Sequence, residues 1–228
     1  MMDLMRTRDR LTWGLAVLVV VGISGGALVG APATQKAATR AAGDSDGSGP
    51  RAALLLMDRM TVAGKPETAL PFYHVTATRE RVFAKHLSEM DAALTHLHKA
   101  ASAKFGKEAA DDVVKAANGT TVPEINSARI EVNGDQAKVW FKDNPEPTTM
   151  VRVGDEWKIS VKEWVRGAKD LPAFRGSLSK MADKVNQIAK GIESGRYSSA
   201  QSAKTELVKA KGEAFGKDQD DEPDENKK

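Results

Sequence analysis

The chain has 228 residues, no cysteine, 34 Lys+Arg against 31 Asp+Glu, and 5% aromatic residues. That composition excludes a disulfide scaffold, a thiolate metal centre and a cysteine nucleophile. One long apolar run excludes a polytopic membrane protein, and a net charge of +3 gives no footing for bulk nucleic-acid binding.

Arg6, Arg8 and Arg10 precede an uncharged run from Leu11 to Gln35, densest between Leu15 and Val21. Ala31-Pro-Ala33 places small residues before a cut at Thr34. A basic start, an apolar core and an A-x-A end read as a secretory signal. Residues 11–31 are also long enough to span a bilayer of roughly 30 Å. Trp13 would then lie at the interface, with the arginines holding the N-terminus inside. Residues 1–33 are therefore a signal peptide or a membrane anchor. Either way the remainder is exported, to the periplasm or the extracellular space. Residues 34–50 are small, polar and glycine-rich, which predicts a flexible linker.

A helix is expected from Ala52 to Met60, ended by Gly64-Lys-Pro66, with a compact apolar connection at Leu70–Val75. Phe83, Leu87, Met90, Leu94, Leu97, Ala101 and Phe105 recur at spacings of three and four, so a long amphipathic helix starts at a Thr78 cap and stops at Gly106. A shorter helix covers about 107–117. The period then becomes two. Ala128, Ile130 and Val132 alternate with polar residues up to Asn133-Gly134, a two-residue hairpin signal, and Ala137, Val139 and Phe141 alternate in turn. Val151 and Val153 are expected to point inward, followed by a turn at Gly154-Asp155 and an inward Trp157, Ile159 and Val161. The result is a four-stranded antiparallel meander, its apolar face roofed by the long helix. After Pro172, Leu178, Met181, Val185, Ile188 and Ile192 mark one helix and residues 198–215 another. The domain reading is a roll at 51–170, a helical hairpin at 171–215 and a disordered acidic tail at 216–228.

Helices followed by a meander that closes on Val151-Arg-Val-Gly-Asp-Glu-Trp-Lys-Ile-Ser160 resemble the cystatin-like roll superfamily, over about residues 52–165. That group includes the nuclear-transport-factor-two-like and SnoaL-like domains. The resemblance implies an α+β fold around a conical pocket. It implies no particular activity, because the superfamily holds enzymes, binding modules and inert oligomerising domains.

For chemistry, His74 lies in an apolar segment and is the candidate base, with Asp91 as its carboxylate partner. His86, His96 and His98 lack the spacing of a metal site, and no cofactor motif is present. A roll enzyme would need a cavity behind Phe83, Phe141 and Trp157. On the polar side of the meander, Arg129, Lys138, Lys142, Arg152, Lys158 and Lys162 share one parity with Trp140, and Glu131 is the one acid among them. A basic, aromatic-bearing face suits an anionic envelope component or a protein partner. The sequence therefore predicts a non-catalytic extracytoplasmic interaction module. The alternatives are an acid/base or small-molecule-binding roll and an envelope-anchored protein that self-associates through the Leu178–Ile192 stripe.

Overall fold

A computed structural model of the chain describes residues 48–216 except 143 and 169. The expected signal or anchor at 1–33, the linker up to residue 47 and the tail from 217 lie outside the described residues. No helix among the described residues is long and apolar enough to cross a membrane.

Helix α1 spans Pro50–Met60. Pro50 is buried and opens the helix, a position where its missing N–H costs nothing, so the linker ends one residue earlier than composition suggests. Two 3-10 turns (Pro66–Thr68 and Leu70–Phe72) lead to a short strand β1, Tyr73–His74. Helix α2 follows at Thr78–Phe105. Its N-cap is Ala77 rather than Thr78, and Glu80 closes the turn by accepting hydrogen bonds from the N–H groups of Thr76 (2.6 Å) and Ala77 (3.2 Å) and from the Thr76 hydroxyl (2.8 Å). Helix α3 covers Lys107–Ala116 and the short α4 covers Val122–Ser127.

The strands are β2 (Arg129–Asn133), β3 (Gln136–Trp140), β4 (Thr148–Val153) and β5 (Glu156–Ser160). They form the expected antiparallel meander, but the sheet has five strands in the order β1-β5-β4-β3-β2. The segment read as a connection supplies β1, which pairs parallel to β5 through Tyr73–Ile159 and His74–Ser160. Two residues are too short for a periodicity signal, and only the neighbouring strand makes them extended. The first hairpin loop is Gly134-Asp135, one residue later than expected, with Asn133 opposite Gln136.

One strand is inverted relative to the expectation. Met150 pairs with Ile159 and Ala137 on the apolar face, so Val151 and Val153 point to the other side, where Val153 is 42% exposed. The cause is the length of the Gly154-Asp155 loop. A two-residue loop sets Val153 opposite Glu156, and a one-residue change in pairing reverses every side chain on a strand.

Helix α5 (Lys162–Gly167) leads into α6 (Leu171–Glu193) and α7 (Ala200–Phe215). Helix α2 packs most extensively on α6 and then on α3, and α7 packs on α6 and α3, so these four make a ring with α2 and α7 on opposite corners. Helix α2 is consequently not a one-sided roof. The six consecutive residues from Met90 to Thr95 are all buried, which covers every face of the helix. Helix α1 also approaches the sheet, beside β5, with Leu54 and Met57 fully buried. Arg51 ties α1 to the end of α4, donating to the carbonyl oxygens of Ile125, Asn126 (2.8 Å) and Ala128 (3.0 Å). The stripe Leu178–Ile192 lies in the same core as α2 and is inaccessible to a second copy.

Candidate functional site

The sheet has one face turned to the core and one turned away from it. Cross-strand register sorts the outward residues into rows. Arg129 and Trp140 form the first row, then Glu131, Lys138 and Thr149, then Asn133, Gln136, Val151 and Lys158. Ser160 and His74 extend the second row on β5 and β1. The Arg129 guanidinium lies 4.1 Å from the centre of the Trp140 ring, within the range of a cation–π contact.

Of the expected basic face, Arg129, Lys138, Trp140 and Lys158 do lie together on this side. Arg152 does not, because it pairs with Trp157 and so belongs to the opposite parity, at the rim beside Asp155 (3.7 Å). Lys162 belongs to α5 rather than to a strand. Glu156 is also on the outward face and pairs with Lys158 at 3.1 Å. Glu163 of α5 also reaches the face and accepts a 2.6 Å hydrogen bond from the Thr149 hydroxyl. Cationic excess is thereby concentrated at one end of β2 and β3, at Arg129 and Lys138 with the exposed Lys142 two residues beyond Trp140. Glu131, 3.8 Å from Arg129, is the acid within that group.

The His74–Asp91 pairing is not formed; no hydrogen bond joins the two among the described residues. Asp91 instead accepts a 2.7 Å hydrogen bond from the Tyr73 hydroxyl. Tyr73 alternates with His74 on β1, and it is the member that faces inward. Both partners are buried, and Asp91 Oδ1 has no hydrogen-bond partner among the described residues. Burial pushes the Asp91 carboxyl well above the usual carboxylate range, with the Tyr73 bond opposing it. The Tyr73 hydroxyl is raised as well, by burial first and by Asp91 second. A group with no exposure cannot meet a substrate, so the pair ties β1 to α2. The space around Phe83 is occupied by Trp164 (6.3 Å, edge-on) and Phe174 (5.6 Å, stacked).

The other three histidines all project from α2 and tie it to its surroundings. His98 Nε2 meets Asp111 of α3 at 3.1 Å, and Ser102 lies 3.4 Å from its Nδ1. Burial lowers the His98 pKa more than Asp111 raises it, so this contact is a neutral N–H donating to a carboxylate. His96 reaches α6 through Asn186 (3.2 Å) and Glu193 (3.0 Å). His86 meets Ser179 (2.9 Å) and Glu89 (3.2 Å), but both lie on Nδ1. A nucleophile relay needs serine and acid on opposite ring nitrogens, so this trio is not one. Among the described residues no group of three His, Asp or Glu could hold a metal ion.

No protein-family model, no curated protein and no solved structure matches the chain.

Proposed function

We propose that the chain is an exported, non-catalytic interaction module that engages an anionic envelope component through the outward face of β2 and β3. The carrying observation is the Arg129–Trp140 platform, an aromatic face with a guanidinium on it, flanked by Lys138 and Lys142. Anionic polymers are held by such clusters through charge at close range, with the indole supplying an apolar surface. Residues 1–33 would deliver this face outside the cell, free if they are cleaved and membrane-tethered if they are not. For fold relationship we keep the cystatin-like roll over residues 52–165. It is supported by the order of helices before a closing meander, with α6 as the main departure because it embraces α2.

The test is retention of the full-length chain, in detergent, on immobilised dextran sulfate. Native protein should bind at low ionic strength and elute with salt. Lys138→Glu and Trp140→Ala should each weaken retention, whereas the double change Lys158→Gln/Glu156→Gln, which removes an ion pair without altering the net charge, should change it little. Native protein that passes through unretained at low salt overturns the reading.

A further inference from the structure

We propose that β2 is a self-pairing edge. Two copies of the chain join their β2 strands antiparallel about a two-fold axis at Ile130, merging two five-stranded sheets into one. The inference does not depend on the anionic ligand.

The strand order ends at β2, and the Arg129 and Glu131 side chains there are 65% and 63% exposed. Which backbone groups face outward follows from the register. The N–H of Arg152 donates to the carbonyl of Asp135 at 2.8 Å, so the odd-numbered residues of β3 hydrogen-bond toward β4. The even-numbered residues Gln136, Lys138 and Trp140 therefore bond toward β2, to Asn133, Glu131 and Arg129. That leaves Ile130 and Val132 with N–H and C=O groups directed away from the sheet, the template for a further strand. No hydrogen bond reaches those groups from elsewhere among the described residues.

Three symmetric registers use those groups. An axis at Glu131 sets two glutamates against each other. An axis at Val132 sets Glu131 opposite Asn133 and forms no ion pair. An axis at Ile130 sets Arg129 opposite Glu131 of the second copy, twice, on the outward face, while the two Ile130 side chains meet on the apolar face. Ile130 exchanges two hydrogen bonds with its own copy. Each Val132 N–H then meets the carbonyl of Ala128, an oxygen that accepts one bond from Arg51 and retains a second lone pair, while the Ala128 N–H stays on the Ile125 carbonyl at 3.3 Å and each Val132 carbonyl faces water. Directly opposed charges of opposite sign favour a cross-strand pairing and like charges oppose it, which selects the Ile130 register. A five-residue edge is short, so the dimer belongs with small, concentration-dependent interfaces.

Sedimentation velocity of the full-length chain in detergent reads the equilibrium. Native protein should dimerise as concentration rises. Arg129→Glu alone and Glu131→Arg alone each replace two attractions by two repulsions and should weaken the dimer by roughly tenfold or more. Mixed together, the two variants regain opposite charges at both positions and should associate again. Far-UV circular dichroism of each variant checks that the fold persists. The chain has no cysteine, so Arg129→Cys and Glu131→Cys introduced in separate molecules should oxidise to the mixed disulfide in preference to either symmetric one. A native chain that stays monomeric, a mixture that fails to recover, or a dominant 131–131 cross-link overturns the proposal.

Discussion

Asp91 is the residue whose environment departs furthest from what its type prefers. In the unfolded chain its carboxyl ionises at about pH 3.9, and in the fold burial raises that pKa. The folded state therefore binds a proton that the unfolded state has released, and stability falls as pH rises from about 4 toward the folded pKa. Each unit of upward shift is worth about 1.4 kcal/mol. Asp91→Asn keeps the shape and cannot ionise, so its stability relative to native should improve as pH rises, a trend that urea titrations at several pH values would show. Tyr73→Phe removes the one hydrogen bond that carboxyl accepts among the described residues and should cost on the order of 1–3 kcal/mol. His98 has the opposite sign: its lowered pKa takes stability away as pH falls below about 6.5.

At the scale of elements, the α6–α7 connection rests on a glycine. A Cβ on Gly191 would lie 2.5 Å from Tyr197 Cε2, closer than packed atoms come. Alanine would gain up to about 1 kcal/mol in helix propensity but force the ring to move, at about 1–3 kcal/mol. Gly191→Ala should thus lower the melting temperature, while the same change in a Tyr197→Ala background should raise it. Arg51 performs the complementary task at the end of α4, where it satisfies carbonyls that the short helix leaves open. Arg51→Ala should destabilise by about 1–3 kcal/mol in denaturant unfolding. The inverted β4 shows how an element can be misread while its length is right. Val-Arg-Val alternates convincingly, but the two-residue loop after it was already in the sequence and sets Val153 on the same side as Glu156, away from Trp157. The arithmetic of the loop outranks the hydrophobicity of two valines.

For the molecule as a whole, the C-terminal hairpin is part of the core on which α2 depends. Leu178, Met181, Val185, Ile188 and Ile192 are all nearly inaccessible and lie in the cluster that holds Leu87, Leu94 and Leu97. Each buried side chain of this kind contributes about 1.5–3 kcal/mol, against a total stability of about 5–15 kcal/mol for a domain. A chain ended after residue 170 should therefore lose its cooperative thermal transition, which calorimetry would register. A truncated chain that still melts cooperatively at the native temperature would show the hairpin to be dispensable.

Periodicity by itself located the major helices and the four meander strands, because a repeat of 3.6 or 2 is written along the chain and needs no distant partner. It also placed Arg129, Lys138 and Trp140 on one side of the sheet, since alternation within and across a tight hairpin is local. Tertiary structure alone decided the rest. It made Tyr73–His74 a strand, set Tyr73 rather than His74 against Asp91, brought Glu156 and Glu163 to the basic face, and buried the middle of α2, from Met90 to Thr95, on every side. Each of these depends on a neighbour many residues away, and burial and pairing belong to the assembled molecule rather than to any stretch of its sequence.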